Sequence, residues 1–508
     1  MDNVFTKITT QFKKSHKSYR IKLGLLLSAS LLTSACQLTD KDTKNLVSNQ
    51  QEQQRPNILF ILADDHRWDL IGKYHPIVKT PTLDKLADQG VFFKKAFVTT
   101  PICGASRASI LTGLTERTSD YSFHRPPVSE EDMAITYPVV LKQHGYTTGF
   151  VGKFGVETSG NIEQRFDYFK RSKMKKNDIH KGVERPQTYH FVELAKDFIE
   201  QNKGSGQPWS LSVSFWNPHA LDPDKVDQYH YPAEFDEYYN DITIPPAPLS
   251  SAADFEALPD FLKTSLGRER WQYRYKTEAL YQKMVKRHYR AVSAVDRGVG
   301  MLYDKLVEAG MAENTIIIYT GDNGYSLNNR QLAGKWFGWD EDLRVPLIIF
   351  DPRNRKAQVR EEIALNIDIA PTILDLAGIE LSMRYQGKSL KPIMAGETPE
   401  WRSEFFFEHL FSPKVFKIPP TVGVRTEDWK YVRYYRDKHE QLYDLKNDPN
   451  EATNLANSAQ HENILNQLRQ KTDAYIDQYE AERNNTVKQR AFDGNKKTDF
   501  VNADSKNH

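Results

Sequence analysis

The sequence predicts an α/β fold, with helices covering a large sheet, followed by a smaller α+β domain. Residues 56–63 form a continuously apolar, β-prone run, Pro-Asn-Ile-Leu-Phe-Ile-Leu-Ala, which is typical of a strand buried on both faces. A second run of this kind spans residues 315–320, and stretches with helical periodicity lie between the two. Alternation of strands and helices along a chain indicates an α/β sheet.

Further elements extend this pattern. Helices are predicted at 83–89, 105–112, 191–201 and 280–309, and strands at 147–151, 209–215 and 346–350. After about residue 400, short strands at 422–425, 430–435 and 442–445 precede a helix at 463–479. Residues 220–275 lack periodicity and predict a loop insertion. The predicted units are a main domain (56–398), an α+β subdomain (399–482) and a disordered polar tail (483–508).

Charge is almost balanced over the chain. Lys and Arg number 69 against 67 Asp and Glu, a formal net charge of +2. Such a chain has no overall field suited to wrapping a polyanion, so no nucleic-acid partner is expected. Any anionic substrate must be held locally.

The first 35 residues predict an export signal. A cationic stretch precedes the apolar run 23–32, which is only about half as long as a bilayer-spanning helix requires. Thr-Ser-Ala before Cys36 resembles a bacterial lipoprotein signal, in which this cysteine is lipidated, and the polar residues 37–55 then form a tether. Membrane contact through the lipid alone is expected, on the periplasmic or outer face. The alternative is a soluble periplasmic protein.

Side chains with oxygen atoms follow both buried strands. Asp64 and Asp65 end the first, and Asp322 and Asn323 follow the second. Ligands in open α/β sheets bind beyond the carboxyl ends of the strands. Oxygen donors without a Cys or His cluster at zinc spacing favour a hard cation such as Ca²⁺ or Mg²⁺.

Cys103 is one of only two cysteines, the other being Cys36. If Cys36 is lipidated, Cys103 is a lone thiol in an oxidising compartment. It directly precedes a predicted helix that Gly113 ends, and a helix N-terminus favours negative charge. Arg107, one turn later, can reach back toward it. The alternative is a buried structural cysteine.

Residues 103–113, Cys-Gly-Ala-Ser-Arg-Ala-Ser-Ile-Leu-Thr-Gly, resemble the signature of the type I sulfatases of the alkaline phosphatase superfamily. Ala105 stands where the family usually has Pro. Other segments match the family in order: 57–65, 145–153, 216–219, 320–324, 335–346, 368–372 and 442–445. The resemblance covers residues 56 to about 480 and implies a large mixed sheet sandwiched by helices, with a catalytic domain over 56–398.

The resemblance also implies the chemistry. Cys103 would be oxidised to 3-oxoalanine (formylglycine), whose hydrate is a metal ligand and the nucleophile. The metal would be Ca²⁺, or alternatively Mg²⁺, held by Asp64, Asp65, Asp322, Asn323 and the modified Cys103. The implied maturation partner is a formylglycine-generating enzyme or an anaerobic sulfatase-maturing enzyme, and Ala105 leaves that choice open.

The resemblance also implies roles for other side chains. Lys153 and Lys335 would neutralise the sulfate, and Arg107 would orient the hydrate. His219 would protonate the leaving group. The family typically has His two residues after the first lysine, where this chain has Gly155. Another histidine, with His66 and His124 as candidates, or a water molecule would then be the base that releases sulfate.

The implied substrate is a sulfated polysaccharide or its oligosaccharides, from algae, such as ulvan, or from animal glycosaminoglycan. Two alternatives stay open: a phosphodiesterase or phosphonate hydrolase of the same superfamily, and a lipoprotein that binds sulfated glycans without turnover. Loop residues predicted to contact sugars, with packing as the alternative, are Arg67, Trp68, His124, Arg125, Tyr229, Tyr231, Tyr238, Tyr239 and Trp271.

Overall fold

The computed structural model describes residues 55–123, 126–411 and 417–496. The predicted signal peptide, the lipidation site Cys36, almost all of the predicted tether, and the residues His124 and Arg125 lie outside these ranges. Within them, no helix is long and apolar enough to span a bilayer.

Strands form one large sheet and several small ones. In chain order they are β1 Asn57–Asp64, β2 Val91–Phe93, β3 Ala96–Phe97, β4 Thr147–Gly152, β5 Tyr168–Arg171, β6 Asn177–His180, β7 Val183–Pro186, β8 Trp209–Pro218, β9 Thr315–Gly321, β10 Ser326–Leu327, β11 Ala333–Gly334, β12 Leu347–Phe350, β13 Gln358–Arg360, β14 Ala364–Leu365, β15 Glu404–His409, β16 Thr421–Thr426, β17 Trp429–Tyr434 and β18 His439–Asp444.

Helices cover both faces of the large sheet. In chain order they are α1 Pro81–Gln89, α2 Cys103–Thr112, α3 Glu116–Ser119, α4 Glu130–Met133, α5 Tyr137–Gln143, α6 Gln187–Gln201, α7 Ala252–Glu256, α8 Asp260–Lys263, α9 Leu266–Arg274, α10 Glu278–Glu308, α11 Asp340–Leu343, α12 Ile369–Leu376, α13 Lys391–Ala395, α14 Glu462–Ala481 and α15 Asn485–Lys496.

The large sheet has the order β13-β2-β12-β9-β1-β8-β4-β5. It is mixed, because β12 runs antiparallel to both neighbours while β1 is parallel to β8 and β9. The side chains of β1 are all buried, and they alternate between two cores: Ile58, Phe60 and Leu62 face α2, α5 and α12, whereas the intervening residues face α1, α6 and α10. Burial on both faces explains the unbroken apolar run. The predicted mixed α/β fold is confirmed.

A smaller antiparallel sheet, β15-β16-β17-β18, follows in the C-terminal part. Helix α14 packs on it through Leu465 and Leu468, which contact a core that includes Phe406 and Val424. The sequence predicted this α+β arrangement, and the structure confirms it.

Two segments differ from their sequence-based description. Residues 220–275 contain three short helices, α7 to α9, rather than loop alone. The polar tail begins with α15, which is anchored because Val487 is fully buried and Arg490 Nη1 donates to the Pro127 carbonyl oxygen at 2.7 Å. A few specific contacts therefore order a segment whose composition predicted disorder.

Candidate active site

The ends of β1 and β9 bring the four predicted metal ligands together. Because Ala63 pairs with Gly321 in parallel register, Asp64 emerges beside Asp322. The chain then turns at Asp65, where φ is 64°, and the Asp65 N–H donates to Asp322 Oδ1 at 3.1 Å. Asn323 Nδ2 donates to Asp65 Oδ1 at 2.7 Å. All four side chains are buried.

Three oxygen atoms of this group are unsatisfied. Asp64 Oδ1, Asp65 Oδ2 and Asn323 Oδ1 are buried and accept no hydrogen bond from any residue that the structure describes. Ligand atoms of Asp64, Asp322 and Cys103 lie within 4.8 Å of one another. Burying polar atoms without partners is costly, and a hard cation would satisfy these oxygens. The donor set therefore fits Ca²⁺ or Mg²⁺.

Cys103 begins α2, as the sequence predicted, and is only 6% exposed. The helix ends at Gly113, which adopts the left-handed conformation with φ 67°. Asn366 holds the segment on both sides of the cysteine: its Oδ1 accepts from the Thr99 N–H at 3.0 Å, and its Nδ2 donates to Ser106 Oγ at 2.9 Å. Sequence reasoning did not identify Asn366.

Arg107 connects α2 to three strands. Its Nε donates to Asp322 Oδ2 at 2.8 Å, and its Nη1 donates to the Lys153 carbonyl oxygen at 2.7 Å and to Ser214 Oγ at 2.5 Å. Its Nη2 is buried, lies 3.9 Å from Asp64 Oδ2, and makes no hydrogen bond within the described ranges. The guanidinium thus faces the carboxylates with one donor group unused.

Two lysines lie close to the strand-end carboxylates. Lys153, after β4, contacts Asp64 Oδ2 with its Nζ, which lies 4.4 Å from the Trp216 ring centre. Lys335, after β11, places Nζ 2.5 Å from Asp65 Oδ1 and 3.7 Å from Asp64 Oδ1.

The residue after Lys335 is strained. Trp336 has a φ of 92°, which is rare for a residue with a side chain, and its N–H donates to the Pro101 carbonyl oxygen at 3.1 Å. This bond ties the Lys335 segment to the residues before Cys103. No sequence pattern indicated this bond.

Opposing effects set the ionisation of the carboxyls and lysines. Burial alone would raise the pKa of Asp64, but Lys153, His219 and Lys335 together hold it well below its usual range. Burial, together with the charge of Asp64, raises the pKa of Asp322 to about 6. Burial also opposes the charge on Lys335, yet Asp65 raises its pKa above the ordinary value. Buried opposite charges thus coexist at neutral pH.

His219 lies at the outer side of the group. Its Nδ1 is 2.6 Å from the Ala220 carbonyl oxygen, which can only accept, so Nδ1 carries a proton. Its Nε2 is 3.7 Å from Asp65 Oδ2, and the side chain is 14% exposed. Burial lowers the pKa of His219 against the opposing charges of Asp64 and Asp65.

Two positions bear on the base that would release sulfate: His66, a candidate for this role, and Gly155, where the family typically has a histidine. His66 Nδ1 is 2.5 Å from Tyr319 Oη, and its Nε2 is 3.0 Å from the Leu70 carbonyl oxygen. Both ring nitrogens therefore take part in hydrogen bonds. Gly155 has a φ of 67°, and a Cβ there would lie 3.2 Å from Arg107 Cδ.

Most predicted sugar-contacting side chains serve other contacts. Tyr229, Tyr239 and Trp271 are buried in a core, so they offer no open face to a sugar. Tyr231 packs against Arg287 and Arg290, and Tyr238 against Lys79. The Arg67 guanidinium pairs with Asp69 at 2.6 Å, and Arg344 covers the Trp68 ring at 3.7 Å. For the buried Tyr229, Tyr239 and Trp271, packing is the correct interpretation. Sugar contact by the partly exposed residues stays a prediction.

The fold and the site together define a hydrolase of the alkaline phosphatase superfamily. Residues 56–379 match the family described as Sulfatase, and residues 330–478 match the one described as N-sulphoglucosamine sulphohydrolase, C-terminal. The first match covers more than half of the chain. The chain therefore belongs to the sulfatase family, and it is a sulfuric ester hydrolase.

Individual relatives agree with this assignment. An N-acetylglucosamine-6-O-sulfatase of Bacteroides thetaiotaomicron is 29% identical, over 85% of this chain and 88% of its own. An ulvan-active sulfatase of Formosa agariphila is 26% identical, over 93% and 90%. A structure described as a complex with its substrate D-glucosamine-2-N,6-O-disulfate superposes with a TM-score of 0.70 at 25% identity, covering 84% of this chain and 98% of that one.

Proposed function

We propose that this sulfatase hydrolyses sulfate esters on sulfated polysaccharides or their oligosaccharides, with a nucleophile made from Cys103 and a bound Ca²⁺ or Mg²⁺. The observation that carries the proposal is the convergence of partnerless carboxylate and amide oxygens, a buried cysteine and two lysines on one site. Relatives named for N-acetylglucosamine 6-O-sulfate and ulvan support a sugar as the leaving group.

Asp64, Asp65, Asp322 and Asn323 would hold the cation, together with the side chain at position 103. The cation would polarise a sulfate oxygen and lower the pKa of the attacking hydroxyl, which the hydrate of formylglycine 103 would supply. Three of these four residues are carboxylates, the oxygen donors that a hard divalent cation prefers.

The cationic side chains bind and orient the ester. Lys153 and Lys335 lie near different oxygens of Asp64, and their ammonium groups would each contact a different sulfate oxygen. Charge that develops on these oxygens during S–O cleavage is stabilised by fixed, buried cations. Arg107 is held by Asp322 and Ser214, and its unused Nη2 lies 3.9 Å from Asp64 Oδ2. From there it would orient the hydrate at position 103.

His219 is the proposed proton donor. The Ala220 carbonyl fixes the ring orientation by accepting from Nδ1, so Nε2 is the nitrogen that faces Asp65. When protonated, Nε2 can deliver its proton to the departing sugar oxygen, which is a strong base and cannot leave easily as an anion.

Release of sulfate would regenerate the aldehyde as the second hydroxyl of the hydrate loses its proton, and this proton needs an acceptor. His66 cannot serve, because both of its nitrogens are engaged. We propose that a water molecule takes this role, because Gly155 offers no side chain at the position where the family typically has a histidine.

Two measurements test the function. Conversion of Cys103 to formylglycine lowers the mass of its peptide by roughly 18 Da, and the mature protein should hydrolyse p-nitrophenyl sulfate faster than p-nitrophenyl phosphate, phosphodiester and phosphonate analogues. Cys103→Ala, which cannot be matured, should be inactive on all of them. A Cys103 peptide of unchanged mass from native cells would favour a lipoprotein that binds sulfated glycans without turnover. Faster hydrolysis of the phosphate or phosphonate esters would favour a phosphodiesterase or phosphonate hydrolase.

The proposal includes export and lipid attachment at Cys36, with maturation by a formylglycine-generating or anaerobic sulfatase-maturing enzyme. Membrane fractions should retain the parent protein and release a Cys36→Ala variant. Equal release of both proteins would contradict the lipid anchor.

A further inference from the structure

An arginine lies between two segments that carry proposed catalytic residues. Asp222 follows His219 by three positions, and Arg270 belongs to α9, which packs against β11, the strand directly before Lys335. The Arg270 guanidinium lies 5.0 Å from the ring centre of Trp336. Arg270 is therefore at the edge of the site, where the His219 and Lys335 segments approach each other.

Asp222 fixes this arginine in place. Arg270 Nη2 donates to Asp222 Oδ2 at 2.6 Å, and Arg274 Nη2, from a fully buried side chain, donates to Asp222 Oδ1 at 2.7 Å. Burial would raise the pKa of Asp222, but Arg270, His219 and Arg274 outweigh it and lower the pKa to about 2. One carboxylate thus faces two guanidinium groups, which leaves one positive charge in excess.

Arg270 keeps donors for a ligand. Its hydrogen bond to Asp222 uses Nη2, and no other hydrogen bond of Arg270 to a described residue is present. The side chain is 13% exposed, so solvent reaches it. With Nη2 held by Asp222 and a face near Trp336, the guanidinium is pre-organised, and little entropy is lost when an edge that Asp222 leaves free binds an anion.

We infer that Arg270 forms a second anion-binding subsite, which holds a sulfate or carboxylate group on the same sugar as the scissile sulfate or on its neighbour. This inference rests on the proposed function and deepens it, because it limits preferred substrates to sugars with at least two anionic groups. Sulfate and carboxylate both present two oxygens in the geometry that an arginine fork binds.

Binding to the inactive Cys103→Ala protein tests the subsite without turnover. Calorimetry would compare two matched pairs of probes: N-acetylglucosamine 6-sulfate with glucosamine-2-N,6-O-disulfate, and rhamnose 3-sulfate with the same sugar linked to glucuronate. The first pair adds a sulfate and the second a carboxylate. At least one dianionic probe should bind more tightly than its partner. Adding Arg270→Ala should reduce that preference roughly 10- to 100-fold, the value of a charged hydrogen-bonded pair.

Two further variants separate recognition from a structural role. Arg270→Lys should restore part of the preference, because it keeps the charge but not the fork. Arg268→Gln, on the same helix but bonded to the Gln331 carbonyl oxygen and stacked on Trp271, should leave the preference unchanged.

Two results would overturn the inference: no preference for either dianionic probe, or a preference that survives Arg270→Ala. Failure of the proposed function would instead appear as unconverted Cys103 or lack of p-nitrophenyl sulfate hydrolysis. The calorimetric comparison can still be interpreted in that case, because it uses the Cys103→Ala protein and needs no turnover.

Discussion

Two buried clusters in this protein contain the same number of charges but differ in how their atoms are satisfied. The site cluster consists of Asp64, Asp65, Asp322, Arg107, Lys153 and Lys335. The C-terminal cluster, between α11 and the small sheet, consists of Arg330, Asp340, Glu341, Arg425, Lys430 and Glu451. Each has three acids and three bases, so charge balance alone does not distinguish a functional site from a structural one.

The difference lies in the oxygens. In the C-terminal cluster, Glu341 Oε2 and Glu451 Oε1 also accept no hydrogen bond within the described chain, but Glu451 Oε1 lies 2.7 Å from Lys430 Nζ, which is 2.5 Å from Asp340 Oδ1. In the site cluster and the adjoining Asn323, three oxygens from different residues converge without a hydrogen-bond partner in the described chain. Among the described residues, only the site cluster also brings acidic ligand atoms within 4.8 Å of a cysteine sulfur, and this arrangement suits the binding of an ion.

The largest expected effect comes from Asp322→Asn in the site cluster. We expect kcat/KM for p-nitrophenyl sulfate to fall at least about a thousandfold, because a ligand charge and the ion pair with Arg107 are weakened. The thermal midpoint without metal should change little, since Asn also removes repulsion with Asp64. Kinetics and thermal unfolding in chelator check this. A large loss of metal-free stability would mean that the site cluster also supports the fold.

Lys430→Met in the C-terminal cluster should lower stability without lowering activity. Removing this fully buried cation leaves Asp340 and Glu451 without their shared partner and should lower the free energy of unfolding by about 3 kcal/mol. Activity per folded molecule should be retained. Denaturant titration measures the loss. The control Lys471→Met, from a half-exposed pair with Glu404, should cost under about 1 kcal/mol.

Calcium binding should depend on the site cluster and not on the C-terminal cluster. At a free concentration of about one hundred times its Kd, Ca²⁺ should add about 2.7 kcal/mol to the unfolding free energy. Parent and Lys430→Met should both show this gain, while Asp322→Asn should lose most of it. Denaturation with Ca²⁺ and with chelator gives the comparison. An equal gain in all three proteins would place the ion elsewhere.

The smallest effect concerns Gly155. Gly155→Ala should cost about 1 kcal/mol of stability, because φ is positive, and should also slow turnover, because its Cβ would press on Arg107 Cδ at 3.2 Å. Gly204→Ala is the matched control, with φ 72° and nothing within 4 Å of its Cβ. It should lose similar stability but no activity. If both variants turn over substrate at the same rate, contact of the added Cβ with Arg107 does not affect catalysis.

Some of the site could be predicted because its signals are local. Apolar runs that end in acidic residues indicated Asp64, Asp65, Asp322 and Asn323, and the small-residue helix after Cys103 indicated its position at a helix start. Lys153, His219 and Lys335 have no comparable local pattern, and only the family resemblance indicated them. Their proposed roles stay predictions, although the structure places all three around the same carboxylates.

Other features could not be predicted in this way. Asn366 reaches Ser106 across 260 positions of the chain, and Arg107 reaches Ser214 across 107. The aromatic residues of 220–275 suggested a sugar-binding surface, yet several complete a core instead. The direction of a side chain depends on which distant segments pack around it, and composition does not contain this information.

The sequence by itself determined the strand and helix pattern, the carboxylates at the strand ends and the cysteine at the helix start, because each follows from residues adjacent in the chain. Tertiary structure alone decided which oxygens are left without partners, which charges close on one another, and that Arg270 lies beside the site. Hydrogen bonding of a buried atom is settled by its neighbours in space. For Asp65 and Lys335, these neighbours are 270 positions apart.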